Sequence, residues 1–276
     1  MKIRSRFTIL SLSIAAALWG APAQAHFASP IVRAADAVGL NVLVVHQQYA
    51  ETYDGATLDR EDGNLSGISA FDGRLFASGA YLRFALRYAG GSDVYTGQTQ
   101  GGTPVVSTTQ NTVFDGGARF GWAFASSPDS AVIPYVTLGG YEWNRGLGGV
   151  LPYHEDYSHL WYGLGVAGWI APSPRLTICA HGSVGRTDAA SLYMTGLSSV
   201  GIPDQSFALG AAQRITAGIR AEYALTRRVR LDGGIDYLRF SYGASGINVI
   251  PGVATVQEPG STTRQITGYL GAAFVF

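Results

Sequence analysis

The stretch Gly268-Tyr-Leu-Gly-Ala-Ala-Phe-Val-Phe276 closes the chain and is the clearest indication of its fold. Successive side chains of a β-strand point to opposite faces, so residues two apart share a face. Here Leu270, Ala272, Phe274 and Phe276 share one parity, which makes that face continuously apolar. The stretch therefore predicts a last β-strand with one face turned to an apolar environment.

The start of the chain has the three parts of a removable export signal. The first six residues carry three basic side chains, and the stretch 7–19 that follows is mainly apolar and uncharged. Ala23-Gln-Ala25 then supplies the small residues at which a signal peptidase cleaves. Because the apolar stretch is too short to span a bilayer as a helix, residues 1–25 are predicted to be a cleaved signal peptide.

Together the two ends resemble those of Gram-negative outer-membrane proteins of the broad porin-like superfamily. The resemblance implies a transmembrane, up-and-down antiparallel β-barrel located in the cell outer membrane. It also implies two partners. One is the surrounding outer-membrane lipid with its lipopolysaccharide, and the other is the outer-membrane assembly machinery, which would recognise the terminal strand ending at Phe276.

The composition suits a membrane barrel and argues against other classes of protein. Glycine (37), tyrosine (15) and phenylalanine (12) are abundant, charged residues make up 14%, and no apolar run is long enough for a spanning helix. Without the signal, which holds the only lysine, 16 basic residues face 19 acidic ones, a formal charge of −3. This balance lacks the basic excess that nucleic-acid binding needs. Cys179 is the only cysteine, so no internal disulfide is expected.

Hydrophobic alternation along the chain predicts an all-β fold of about ten strands, within a range of about eight to twelve. Residues 26–37 are predicted to form a short N-terminal periplasmic segment and residues 38–276 the outer-membrane barrel. Short connections alternate with longer ones, as in barrels with tight periplasmic turns and long extracellular loops. The main predicted extracellular loops are Asp54–Asn64, Gly97–Gln110, Asp188–Gln205 and Gly243–Thr262.

Parity assigns the side chains of each strand to the lipid or to the lumen. The apolar parity must face lipid, because a charge at mid-depth costs about 2–4 kcal/mol there. The rims of this face are predicted to carry Trp122, Phe124, Trp169 and Phe274 at one end and Tyr49, Tyr88 and Tyr242 at the other. The opposite parity brings six arginines and five acids into the predicted lumen: Asp72, Arg74, Arg83, Arg87, Asp115, Arg119, Arg214, Arg220, Glu222, Asp232 and Asp236.

One strand departs from this division. Glu142 has the same parity as Val136 and Leu138, which are predicted to face lipid. Either a β-bulge shifts the parity between them, or Glu142 lies above the bilayer.

One pair of residues suits nucleophilic chemistry. His181 and Ser183 lie two apart, so on a strand they share a face, as a base and a nucleophile would. Their spacing resembles that of the outer-membrane lipid A deacylases. Val184, however, stands where that family has asparagine, and the sequence places no carboxylate clearly beside the histidine. Both side chains are predicted to belong to the lumen network.

The strand number also resembles that of the ten-stranded omptin proteases, whose activity depends on paired aspartates and an Asp/His couple high in the barrel. The corresponding loop here, Gly97–Gln110, contains no acid, and Asp188 has no histidine two residues on. The cluster His154-Glu-Asp-x-x-His159 has metal-ligand residue types, but a loop-to-strand junction does not hold them on one face as a helix would. We therefore expect no catalytic, cofactor or metal site.

Two functions remain open from the sequence. Balanced lumen charges in a narrow barrel predict Arg–carboxylate pairs that plug the interior, and hence a monomeric structural or surface-interaction protein. The alternative is a narrow porin-like channel for small solutes or ions, lined by a ladder of charges of both signs. An outer-membrane hydrolase, either a lipid A deacylase or an omptin-like protease, ranks below both.

Overall fold

The computed structural model describes residues 30–98, 102–149, 152–198, 201–250 and 254–276, so the predicted signal peptide lies outside it. The described elements are helix α1 (Pro30–Ala35) and strands β1 (Ala37–Tyr53), β2 (Ala56–Leu75), β3 (Ala80–Gln98), β4 (Pro104–Trp122), β5 (Phe124–Ser127), β6 (Ser130–Leu147), β7 (Tyr153–Ile170), β8 (Leu176–Thr195), β9 (Gln205–Ala208), β10 (Gln213–Ala224), β11 (Val229–Tyr242), β12 (Asn248–Ile250), β13 (Ala254–Val256) and β14 (Gly260–Val275). Within these ranges, no helix has the length and apolar character needed to cross a membrane.

Ten long strands close into one antiparallel barrel, which confirms the predicted fold class. β1 pairs with β2 on one side and with β14 on the other, so the first strand joins the last. Around the barrel the order is β1, β2, β3, β4, β6, β7, β8, β10, β11 and β14. The short strands β5 and β9 pair with β6 and β8, and β12 with β13 forms a separate hairpin. Closure pairs the backbone groups of the wall with one another, as a lipid environment requires.

An apolar belt surrounds the outer face of the barrel. Val42 on β1, Leu164 on β7 and Leu270 on β14 are 65%, 65% and 63% exposed, and each of the other long strands also exposes a large apolar side chain. Soluble proteins rarely expose an apolar surface of this extent. A bilayer covers such a surface, so the belt marks the part of the barrel that crosses the membrane.

The strands are much longer than the belt requires. β2 and β8 have 20 residues each, whereas a tilted transmembrane strand needs about 9–11. On β1 the apolar outward residues end at Val44, and His46 and Gln48 follow on the same face. The barrel therefore continues past the belt, on the side opposite the chain termini, as a wall with a polar outer face. We call this part the upper barrel and its open end the upper mouth.

The predicted loop Asp54–Asn64 is wrong, because only Asp54 and Gly55 leave the sheet. Both residues have left-handed backbone angles, with φ of 50° and 79°, as a two-residue hairpin turn requires. From Ala56 onward the chain pairs with β1. Asp-Gly between two strands is a strong hairpin signal, but the polar residues that follow it have no apolar alternation, because the outer face of the upper barrel is not in lipid.

The other three predicted loops are also shorter than expected. β3 extends to Gln98 and β4 begins at Pro104, inside the predicted loop Gly97–Gln110. β8 likewise runs through Thr195, and β14 begins at Gly260. The reason is the same: outside the belt a strand needs no apolar face, so its sequence resembles that of a loop.

Three of the predicted rim aromatics point inward instead. Tyr49, Trp169 and Tyr242 are buried inside the barrel. An aromatic ring fills a lumen as well as it marks a membrane interface, so residue type alone does not distinguish the two positions. Those on the outer face are Tyr88, Trp122, Phe124 and Phe274.

Glu142 is accommodated without a bulge. β6 pairs with β4 and β7 through this region with no register shift beside it. Glu142 therefore stays on the outward face, beyond Leu138 and above the belt.

The prediction that Asp72 and Arg74 face the lumen is wrong. Asp72 lies opposite Val38 and Phe84, which share the outward parity. At the belt edge nearer the termini, Arg74 Nη1 pairs with Asp72 Oδ1 at 3.0 Å and with Asp36 Oδ1 at 3.4 Å. The opposite parity of β2 contains Phe71 and Leu75, which fill the interior, so the charged parity is here the outer one.

Helix α1 closes the end of the barrel that holds the termini, here called the lower mouth. Its residues Ile31, Ala34 and Ala35 are buried in one cluster with inward-facing side chains such as Tyr81. A Cβ atom on Gly73 would come within 2.5 Å of the Ala35 carbonyl oxygen, so the close approach of the helix to β2 requires glycine there. Part of the predicted periplasmic segment 26–37 is thus packed against the barrel interior.

Candidate functional site

The lumen contains the other nine predicted charges. All lie on the inward parity of their strands: Arg83, Arg87, Asp115, Arg119, Arg214, Arg220, Glu222, Asp232 and Asp236. They occupy the half of the lumen that lies nearer the lower mouth. The interior is the candidate site of this protein, and its polar groups form layers along the barrel axis.

The lower network is a group of four charges above helix α1. Arg220 Nη2 and Arg230 Nε lie 3.0 Å and 3.1 Å from the two carboxylate oxygens of Glu222, and Arg220 Nε lies 3.8 Å from Asp232. Asn41 Nδ2 donates to Asp232 at 3.1 Å. Arg230 is absent from the predicted lumen residues, although its shared parity with Asp232 is a signal that would have found it.

A second ion group lies higher in the lumen, around one aspartate. Asp115 Oδ2 is 3.1 Å from Arg87 Nη2 and 3.3 Å from Arg214 Nη2. Arg87 also donates to Thr267 at 3.0 Å and to Gln265 at 2.9 Å. Two arginines thus share one carboxylate, which leaves an excess of positive charge.

A cavity of ≈ 190 Å³, here called the chamber, lies between these two groups. Arg83 and Arg119 line it and face each other directly across β3 and β4. Arg83 lies 4.0 Å from the ring centroid of Phe71, and Arg119 lies 5.1 Å from that of Tyr135. In the described part of the chain neither guanidinium has a carboxylate within ion-pair distance.

The upper network surrounds Arg145 in the upper barrel. Arg145 Nε donates to Glu61 at 2.6 Å, Nη1 contacts Glu155, and Glu51 lies 3.6 Å from Nη1. Tyr49 donates to Glu51 at 2.8 Å. This group is absent from the predicted lumen residues because Glu61 lies in a predicted loop. The inward parity of Arg145, shared with Trp143, is a signal that would have found it.

A loop residue caps the upper network. Glu258, between β13 and β14, accepts a hydrogen bond from Tyr157 at 2.8 Å. Burial, and after it the nearby Glu155, raise the pKa of the Glu258 carboxyl to about 8 against the opposing effects of Tyr157 and Arg145. Near neutral pH this carboxyl is therefore largely protonated, which limits the negative charge at the upper mouth.

An aromatic layer separates the upper network from the chamber. Trp143 stacks on Tyr157 with ring centroids 5.0 Å apart, and Tyr141 stacks on His159 at the same distance. Trp143 Nε1 donates to Asn111 at 2.7 Å. The buried members of the layer are Tyr49, Tyr141, Trp143, Tyr157, His159, Phe240 and Tyr242. Balanced charges were the predicted filling of the lumen, and these rings are a second filling that parity alone did not reveal.

His181 and Ser183 both face the chamber, as predicted. His181 Nε2 lies 3.5 Å from Asp236 Oδ1, so a carboxylate stands beside the histidine after all. The Ser183 hydroxyl is 2.7 Å from the Thr216 hydroxyl, and no hydrogen bond joins it to His181. The geometry therefore lacks the contact between base and nucleophile that covalent catalysis needs.

The His154–His159 cluster is split by the strand. His159 points inward, where its Nδ1 atom is 2.7 Å from the Tyr242 hydroxyl, whereas His154 is on the outward face of β7. Among the described residues no group of three or more His, Cys, Asp or Glu side chains could hold a metal ion.

The lumen charges are segregated along the barrel axis. Around the chamber and the lower network, six arginines face four acids: Arg83, Arg87, Arg119, Arg214, Arg220 and Arg230 against Asp115, Glu222, Asp232 and Asp236. In the upper barrel, Arg145 faces Glu51, Glu61 and Glu155, with Asp59 and Glu258 nearby. The near balance expected from the sequence thus conceals an acidic upper half and a basic lower half.

Comparison with solved structures agrees with the fold. The chain superposes on the outer-membrane protease OmpT from Escherichia coli with a TM-score of 0.62 at 9% identity, covering 88% of this chain and 97% of that one. Ail from Yersinia pestis (TM-score 0.35, 9% identity, 87% and 99% covered) and OprG from Pseudomonas aeruginosa (0.36, 12%, 86% and 96%) match less well. No protein-family model and no curated protein sequence matches the chain. The chain has the fold of an outer-membrane β-barrel protein.

Proposed function

We propose that this protein is a closed, monomeric outer-membrane barrel that acts as a structural or surface-interaction protein. The observation that carries the proposal is the filling of the lumen at successive levels. Helix α1 occupies the lower mouth, buried ion pairs and the aromatic layer fill the interior, and the upper network lies beneath the upper mouth. The chamber of ≈ 190 Å³ is the space left between these levels.

The upper barrel is the surface that such a protein offers to partners. It extends beyond the apolar belt as a polar wall and ends in an acidic mouth around Arg145. A negative potential at a mouth attracts cationic groups and repels anionic ones. We therefore expect surface partners of positive charge rather than acidic ones.

Lipopolysaccharide is the proposed lipid partner, and three arginines support it. Three exposed arginines lie on the outer face just above the belt: Arg186 on β8, Arg239 on β11 and Arg264 on β14. Each is two residues from a belt residue on the same face, namely Val184, Tyr237 and Ile266. Arg239 and Arg264 stand opposite each other across the sheet. Like charges in that position repel, and lipid phosphates at this depth would offset the repulsion.

A change of lipid tests this partner. The R186Q/R239Q/R264Q variant should lose the extra heat stability that vesicles containing lipopolysaccharide give the unmodified protein over phosphatidylcholine vesicles. Arg60→Gln is the matched control, since Arg60 is exposed on the outer face of the upper barrel and away from the belt. Equal stability of the unmodified protein in the two lipids would exclude this partner.

The assembly machinery is the second proposed partner, through β14. Phe276 ends the chain on the outer face, where the Arg74 guanidinium lies 3.7 Å from its ring centroid. Shortening the chain by this residue should slow assembly in cells while leaving refolding into detergent intact. An unchanged assembly rate would argue against recognition of the terminal residue.

We propose that the protein has no enzymatic activity. The carboxylates of the upper barrel are engaged with Arg145 and with tyrosines, and Ser183 is hydrogen-bonded to Thr216 rather than to His181. Incubation of the refolded protein with lipid A and with denatured protein substrates should release neither fatty acid nor peptide. Hydrolysis that is lost in Ser183→Ala would contradict this.

A narrow channel is the alternative function, and the chamber is the observation that favours it. Single-channel recording of the refolded protein in a planar bilayer decides between the two. A closed barrel should give little or no steady conductance. A large and stable conductance from the unmodified protein would make the channel the preferred function.

A further inference from the structure

We propose that the chamber is an anion-binding site that holds a small oxyanion, such as phosphate, between Arg83 and Arg119. This goes beyond the closed-barrel function, which requires only that the lumen be filled.

The charges around the chamber do not cancel. Six arginines and four acids leave two positive charges in this half of the lumen. The aromatic layer separates them from the acidic upper network. Unpaired charges inside a low-dielectric interior are costly, so the excess calls for a counter-ion.

The ion pairs around the chamber show which two arginines have no carboxylate partner. Asp115 is shared by Arg87 and Arg214, and the lower network occupies Arg220 and Arg230. Asp236 lines the chamber beside His181 and attracts Arg119, but it lies beyond ion-pair distance from every described arginine.

Arg83 and Arg119 remain, as neighbours across one strand pair, with their guanidinium groups over Phe71 and Tyr135. Like charges directly opposite each other on a sheet are destabilising. An anion between them converts this repulsion into two charge-assisted interactions.

The chamber also has suitable size and hydrogen-bond donors. Its volume of ≈ 190 Å³ admits a small anion with some water. Ser183, Thr216 and His181 line it as additional hydrogen-bonding groups. Guanidinium groups bind oxyanions through paired N–H donors, which favours phosphate or a carboxylate over a spherical halide.

The test compares protein refolded with inorganic phosphate and protein refolded with chloride at equal ionic strength. Phosphate should raise the unfolding temperature in detergent micelles with a saturable dependence on concentration. In R83Q/R119Q the half-saturating concentration should rise by about tenfold or more, because charge-assisted bonds are lost. Arg60→Gln on the outer face of the upper barrel is the matched control and should keep the full response.

A second measurement tests the proposal even if the R83Q/R119Q variant refolds poorly. Unmodified protein refolded in phosphate and washed should release about one phosphate per chain on denaturation, as one site in the chamber implies, whereas Arg83→Gln alone should release much less. Two results would overturn the proposal: no phosphate-specific stabilisation of the unmodified protein, or an undiminished response in R83Q/R119Q. Neither result depends on whether the barrel conducts, so the site and the closed-barrel function fail independently.

Discussion

Arg145 on β6 and Glu61 on β2 are joined across the upper barrel, with Arg145 Nε donating to Glu61 Oε1 at 2.6 Å. Their side chains are 1% and 0% exposed. β3 and β4 lie between the two strands in the sheet, so the bond ties together parts of the wall that are not neighbours. Since Glu155 and Glu51 approach the same guanidinium, Arg145 is the centre of the upper network.

Replacing Arg145 by alanine should therefore destabilise the barrel strongly. Three buried glutamates would lose their common cation, and breaking a buried ion pair costs about 3–5 kcal/mol. Unfolding of the detergent-refolded protein by denaturant measures the change. Arg60→Ala is the control, because Arg60 is exposed and makes no ion pair with any described residue; an equal effect of the two substitutions would contradict the role of the upper network.

The cap formed by Glu258 should respond to pH. Its folded-state pKa is about 8 against an ordinary value of 4.5. Between these values the folded state holds a proton that the unfolded state has lost, so stability from this group falls as the pH rises from about 4.5 to about 8. Amide exchange at Ser245, whose N–H donates to the Glu258 carbonyl, should accordingly be better protected, after correction for intrinsic rate, at pH 6 than at pH 9.

Glu258→Gln supplies the control for this pH dependence. The amide keeps the shape of the side chain and can still accept the hydrogen bond from Tyr157, but it does not titrate. Protection at Ser245 should then change little between the two pH values. A pH response as large as that of the unmodified protein would assign the titration to another group, such as Glu51 or Asp59.

The position of the belt can be tested on one strand. Val136 and Asn144 both face outward on β6, Val136 within the belt and Asn144 above it. Val136→Arg should cost about 2–4 kcal/mol for insertion near mid-bilayer, while a charge near the membrane surface costs about 0–1 kcal/mol. Asn144→Arg should therefore refold into lipid almost normally, helped by Asp156 opposite it. Similar losses for both substitutions would mean that the belt is misplaced.

The aromatic layer should contribute both stability and closure. Trp143 is fully buried and packs on Tyr157, so Trp143→Ala should cost about 3–5 kcal/mol. Trp122→Ala is the matched control, because that ring is on the outer face. If the layer seals the lumen, the Trp143→Ala variant should also conduct ions in a planar bilayer. A folded variant without conductance would show that the other layers are enough to close the lumen.

Within the membrane, the alternation of side chains along the chain is enough to predict the barrel. Lipid tolerates little polar surface, so the alternation around Leu86, Ile219 and Leu270 follows the strand period directly and reveals both the strands and their outward faces. The inward position of residues such as Arg87 and Arg220 follows from the same parity. Where lipid requires an apolar outer face, the pattern of the sequence is enough to predict which side chains lie on it.

The filling of the lumen follows only from the three-dimensional arrangement of the strands. Glu61 and Arg145 are far apart in sequence and meet only because three neighbouring strand pairs bring β2 and β6 within reach of each other across the upper barrel. Parity cannot identify such partners, because it specifies a face and not the distance across a closed sheet. It also cannot separate an acidic upper half from a basic lower half, since that requires the register of all ten strands.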